Sequence, residues 1–160
     1  METVVTLSSG DAGELLTLQR AAYVTEAQAH NDLSLPPLTQ SFDELVIELA
    51  RPDVTAFGLR DEARRLVAAV RVYRISADPR TAELGRLVVA PDMQGQGRGS
   101  RLLELVEERL PEQVADLQLF TGEHSLGNLR LYSRFGYQET HRTPTPRGYA
   151  LVHLAKRVRQ

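Results

Sequence analysis

The sequence predicts an α/β protein whose mixed sheet is covered by helices, in the order β-α-α-β-β-β-α-β-α-β-β. Three observations carry that expectation. Short β-branched runs alternate with segments of helical periodicity. Two adjacent strand-like runs, Val54–Leu59 and Leu66–Ile75, flank the turn Arg60-Asp61-Glu62-Ala63-Arg64, as an antiparallel hairpin does. A third apolar run, Leu87-Val88-Val89, leads through a glycine-bearing loop into an amphipathic helix.

The elements follow in order. Val4–Leu7 reads as a first strand. Asp11 offers an N-cap, after which Leu15, Leu18, Ala22 and Ala29 recur at helical spacing. Asn31–Leu38 reads as a loop, because Pro36 and Pro37 lack amide donors and restrict the residues before them. Ser41 and Glu44 form a capping-box pattern opening a helix that Pro52 ends. The hairpin comes next, and Asp78-Pro79-Arg80 turns the chain into a strand over Ala82–Val89, its end read as buried. Leu102, Leu103, Leu105, Val106 and Leu110 mark a helix stopped by Pro111. Asp116–Thr121 is a strand, and Leu126–Phe135 a helix closed by Gly136. Tyr137–Arg142 and Tyr149–Lys156 are the last strands, around the loop Thr143–Gly148.

Length and composition bound the function. The 160 residues fit one domain, 1–160, with 42% hydrophobic and 25% charged residues, a globular balance. A net charge of -2 argues against a nucleic-acid partner. No apolar run approaches the ~20 residues that span a bilayer, and the N-terminus lacks a secretory pattern, so no membrane partner and a cytoplasmic location are expected. The absence of cysteine removes disulfides, thiolate metal sites and a cysteine nucleophile. His30, His124, His141 and His153 are scattered without ligand spacing, so no metal is expected.

The chemistry is concentrated in Gln94-Gly95-Gln96-Gly97-Arg98-Gly99-Ser100. Amides at a helix N-terminus have no intrahelical partners and face the positive end of the dipole, so they suit an anion. Glycines allow close approach. Arg98 and Arg101 are positioned to add charge beside that anion. A P-loop would need a Gly-Lys-Ser/Thr ending, which is missing. A dinucleotide fingerprint half-fits Gly95–Ser100 with Asp116 as its acid, but the antiparallel strands before the loop contradict a βαβ unit.

Gln94-x-x-Gly97-x-Gly99 resembles the (Gln/Arg)-x-x-Gly-x-(Gly/Ala) signature of the GNAT N-acetyltransferase superfamily. Gly85–Pro91 is similar to that family's fourth strand and its exit, and Asn128–Tyr137 to a second family block. The resemblance covers nearly the whole chain. It implies acetyl-CoA as donor, with pantetheine along Leu87, Val88 and Val89 and pyrophosphate on amides from Gly95 to Ser100. It further implies that the fourth and fifth strands splay apart. By the same resemblance Tyr132 is the general acid to the departing thiolate, and Asn128, one turn earlier, bonds the pantetheine. Ser125 departs from the asparagine many members carry there.

A protonated amine must lose a proton before attack. The resemblance offers Glu83 as the base, with Glu123 as a competitor and His124 as a relay. Without a cysteine, transfer is direct in a ternary complex. The resemblance further implies a small-molecule or peptide amine as acceptor, held by Ala29–Gln40, the second helix and Thr143–Gly148, where Glu26 and Asp32 are candidate contacts. A non-catalytic acyl-CoA-binding module and another acyl-CoA donor are the alternatives. A homodimer is compatible with the resemblance, but no exposed stripe establishes one.

Overall fold

A computed structural model describes residues 1–159. Seven strands form one sheet in the order β1-β2-β3-β4-β5-β7-β6. They are β1 (Thr3–Leu7), β2 (Val54–Arg60), β3 (Leu66–Arg74), β4 (Thr81–Val89), β5 (Asp116–Gly122), β6 (Gln138–Pro144) and β7 (Ala150–Arg157). Every neighbouring pair is antiparallel except β4 and β5, which run parallel. The mixed α/β class and the hairpin β2–β3 agree with the sequence reading.

The helices are α1 (Ala12–His30), α2 (Pro36–Thr39), α3 (Phe42–Ala50), α4 (Arg98–Glu108) and α5 (Leu126–Arg134). The expected order therefore gains one element, because part of the Asn31–Leu38 loop is the start of α2. Pro36 and Pro37 open that helix, where a missing amide costs nothing and the fixed φ is already helical. The capping box of α3 forms both ways: Ser41 N donates to Glu44 Oε1 at 2.8 Å, and Glu44 N to Ser41 Oγ at 3.1 Å. Asp11 stands at the N-cap of α1 without bonding into it, and accepts instead from Ser8 N at 2.8 Å. Ala29 is exposed; Ala27 takes the buried position.

Two apolar clusters result. In one, Leu102, Leu103, Leu105 and Val106 of α4 and Tyr132 of α5 meet Val70 and Val72 of β3 and Leu84 of β4. In the other, Leu15, Leu16 and Leu18 of α1 and Leu45 and Leu49 of α3 meet Ala69 and Val88. Each fully buried leucine contributes about 1.5–3 kcal/mol relative to exposure. Leu87 and Val89 are only partly buried, so of the expected buried run only Val88 is core. No helix among the described residues is long and apolar enough to cross a membrane.

Two departures from sheet regularity shape the site. The β4–β5 ladder pairs Thr81, Ala82 and Glu83 with Asp116, Leu117 and Gln118 and then stops, so the strands part beyond Glu83. Opposite β3, the pairing moves from Ala69↔Val88 to Arg71↔Gly85, two steps on β3 against three on β4. The extra residue is a β-bulge, and Arg86 within it takes a positive φ of 53°.

Candidate active site

The parted strands leave space on both sides of β4. On one side, β4 runs through Ala90 and a 3-10 turn, Pro91–Met93, into the glycine loop and α4. Gly95 and Gly97 adopt φ of 78° and 83°, which other residues rarely take, and Gly97 is the N-cap of α4. A glycine cap brings no side-chain oxygen, and the first turn holds no acid. The opening amides of α4 are therefore free of side-chain partners and face outward with the positive dipole end.

A cavity of about 610 Å³ lies against this helix end. Its walls include Leu87, Val88 and Val89, then Gln94, Gly95, Gly97, Arg98, Gly99 and Ser100, then the start of α5 with Asn128. Gln94 braces the loop through Nε2 to Val89 O at 3.3 Å. Gln96 is not part of the wall; its Oε1 accepts from Arg98 Nη1 at 2.7 Å. The expected extra positive charge is also spent elsewhere. Arg98 pairs with Glu2 and donates to Met93 O at 2.9 Å, and Arg101 sits 3.5 Å from the same Glu2. Both guanidinium groups thus meet Glu2, the residue before β1, while the opening amides of α4 keep no side-chain partner.

A second cavity of about 600 Å³ opens on the α1 and α3 side of the parting strands. Tyr23, Glu26, Leu87 and Asn128 line both spaces, so the two cavities share a wall. Glu83, the last paired residue before the strands part, lines the second. Burial raises its carboxyl above the usual glutamate range, and the nearby Arg86 charge opposes that shift. Tyr132 lines the second cavity as well, and not the first. Its ring packs edge-on against Tyr137 at 5.7 Å, and burial pushes its phenol well above the ordinary value. It is a proton donor throughout the neutral range.

The remaining candidates separate. Glu123 accepts from the Ala150 amide and lines neither cavity. His124 reaches the first cavity, and its amide donates to His30 Nε2 at 3.0 Å. That bond leaves the His30 proton on Nδ1, 2.8 Å from Glu26 O. Ser125 is buried and donates to Glu26, whose carboxyl burial also raises, with His30 opposing. Asp32 is fully engaged: it accepts from Ser34 N at 2.9 Å, Ser34 Oγ at 2.5 Å and Tyr149 Oη at 2.6 Å. The bonds from Ser34 and Tyr149 hold its carboxyl down at about 2. Thr145, Pro146 and Arg147, with Leu35–Pro37, complete this wall.

Sequence reading assigned no role to Tyr23, Glu48, Tyr73 or Arg86, all on the second cavity. Glu48 and Tyr73 belong to a buried network around Arg71, which pairs with Glu48 and bonds Gln19; Tyr73 Oη donates to Glu48 at 3.1 Å. A lone arginine in a hydrophobic run, as in Ala69-Val70-Arg71-Val72, is a readable signal of such a buried partner set. Among the described residues, no group of three or more His, Asp or Glu is placed to hold a metal.

The sequence matches the acetyltransferase (GNAT) family over residues 15–137. No protein of curated function matches it significantly. Similar folds occur in the ribosomal-protein-S18-alanine N-acetyltransferase of Escherichia coli, at 21% identity and a TM-score of 0.80, covering 100% of this chain and 96% of that one. The PaiA N-acetyltransferase of Thermoplasma acidophilum, solved with coenzyme A, is 18% identical with a TM-score of 0.78, covering 98% and 99%. The spermidine N-acetyltransferase of Vibrio cholerae, solved with coenzyme A and spermine, is 18% identical with a TM-score of 0.76, covering 98% and 95%.

Proposed function

Because the chain belongs to the GNAT acetyltransferase family and is an acyl-CoA-dependent N-acetyltransferase, we propose that it carries acetyl from acetyl-CoA directly to a primary amine of a small molecule or peptide. One observation carries this reading. The amide-lined cavity and the Glu83–Tyr132 cavity meet at a common wall where β4 and β5 part. Pyrophosphate rests on the amides opening α4, and pantetheine follows Leu87–Val89 toward the shared wall. The thioester then reaches the second cavity, where the amine waits.

The reaction follows from the groups present. Glu83, its basicity raised by burial, takes a proton from the ammonium. The amine nitrogen attacks the thioester carbonyl, a C–N bond forms and the C–S bond breaks. Tyr132 donates to the departing thiolate, and the second proton, shed as the nitrogen becomes an amide, restores the phenol. Most of the acceleration comes from orienting the two reactants. Gln96 is left out of the cofactor site, the Arg98 guanidinium is paired with Glu2, and Glu123 is set aside as base because its carboxylate already holds a backbone amide.

The test is coenzyme A release from acetyl-CoA over a panel of amines, run on wild type, Glu83→Gln and Tyr132→Phe. Both variants should be slower while binding coenzyme A normally. Tight binding of coenzyme A with no transfer to any amine would instead make the protein an acyl-CoA-binding module. Faster turnover with propionyl- or succinyl-CoA would change the donor.

A further inference from the structure

The charged groups of the second cavity divide into those already satisfied and those held ready. Asp32 has its three hydrogen bonds and Arg147 at 3.8 Å. Glu48 has Arg71 and Tyr73. Glu26 has Ser125. Arg86 is different. Its Nε is buried with no hydrogen-bond partner, and it takes part in none of the ion pairs among the described residues. It lines the second cavity and not the amide-lined one. Tyr23, Tyr73 and Glu83 line the same cavity.

A partly buried cation without a counter-ion costs free energy that an incoming anion recovers. The backbone adds to the cost, since Arg86 is a non-glycine residue at positive φ in the β-bulge. Such conformations persist where the surroundings over-determine them, and they cluster at ligand clamps. A guanidinium presents a planar fork matched to a carboxylate. One arginine, beside a helix start whose first two residues are prolines with no amide to donate, suits a monoanion better than a phosphate dianion. Glu83, three residues away on the same strand, is the opposite pole, suited to an ammonium.

We propose that the acceptor is a free amino acid or a closely similar amino-carboxylate, its carboxylate on Arg86 and its amine directed to Glu83. This rests on the amine-acetylation reading above and narrows it. Peptide N-termini lack a carboxylate beside the amine, and polyamines would bring further positive charge against Arg86.

The test compares the proteinogenic amino acids with their primary carboxamides, alongside aminoalkylphosphonates, short peptides and spermidine, using wild type, Arg86→Gln and Arg86→Lys. Wild type should prefer the free acid over its carboxamide. Arg86→Gln should lose on the order of 10- to 100-fold in kcat/KM for the acid, mainly through KM, the scale of a charge-assisted hydrogen-bond pair. Its acid-to-amide ratio should fall close to one, with Arg86→Lys recovering part of it. Coenzyme A affinity, measured by calorimetry, reports on folding of each variant. Equal use of acids and carboxamides, or a preference for peptides, spermidine or phosphonates, would overturn the assignment and leave acetyl transfer standing. If no amine is acetylated, calorimetric titration of amino acids into the coenzyme A complex decides. Binding lost in Arg86→Gln upholds the carboxylate site without turnover, and no binding removes both claims.

Discussion

Tyr132→Phe removes one oxygen and leaves the ring. The ring's packing in the α4 cluster and against Tyr137 is retained, so stability should change by less than about 1.5 kcal/mol, the upper end for an ordinary hydrogen bond. The kinetic effect can be worked from the acidities. A cysteine-like thiol has a pKa of about 8.5 and a free phenol one of about 10. Burial raises Tyr132 further, so complete proton transfer to the thiolate is uphill by at least ~2 kcal/mol. In the proposed reaction Tyr132 therefore acts chiefly by hydrogen-bonding the developing thiolate. A bond to a charged group contributes about 1.5–3 kcal/mol, which is about 10- to 150-fold in rate. The assay is thiol release at saturating acetyl-CoA, with coenzyme A affinity measured in parallel. A fall in kcat of that size at unchanged affinity fits the role. A kcat within threefold of wild type would refute it, and weakened coenzyme A binding would recast Tyr132 as a wall of the donor site.

Other outcomes follow from the same geometry. Glu83 is raised by burial, so kcat/KM should climb with pH through an inflection above the ordinary glutamate range as the base ionises. Glu83→Gln should lose on the order of 10²-fold and that inflection with it, and an identical acid limb in the variant would point to another base. Gly97→Ala places a Cβ where nothing lies within 4 Å, but at φ 83°; the strain costs about 1–2 kcal/mol, a few degrees in Tm, while coenzyme A affinity should fall more than tenfold. Equal affinity would mean that the α4 amides do not hold the pyrophosphate. Asp32 is lowered to about 2. Its stabilising contribution is present above the unfolded aspartate range and is lost as pH falls toward about 2. Thermal melts from pH 5 to pH 2 should show a shallower acid decline in Asp32→Asn. Gly122→Ala drives a Cβ into the His30 ring, so it should lower Tm and disturb the His124 amide resonance in NMR, which depends on His30 Nε2.

The sequence made most of the framework legible because periodicity and punctuation agree along it. Ser41 and Glu44 form a two-way cap, and Leu102, Leu103, Leu105 and Val106 are buried. The donor side was legible through its glycines, since positive φ at Gly95 and Gly97 leaves a compositional trace. The side chains around it were less so. Arg98 and Arg101 look like anion ligands in sequence, yet Glu2, 96 residues before Arg98, claims both. Long-range pairing of that kind has no local signature. The acceptor side was the hardest. Its wall combines α1, the α1–α3 connection, β3 and the β6–β7 turn, and each contributes isolated polar residues without a period. At the β-bulge the positive φ falls on Arg86 rather than on the neighbouring Gly85, so composition does not announce it.

The common wall of the two cavities has a consequence for the order of events. Tyr23, Glu26, Leu87 and Asn128 stand between the two cavities. On the proposed reading donor and acceptor occupy separate cavities, so neither has to leave before the other arrives. Steady-state plots should show intersecting lines. Coenzyme A should inhibit competitively against acetyl-CoA but noncompetitively against the amine, and dead-end amine analogues should mirror that pattern.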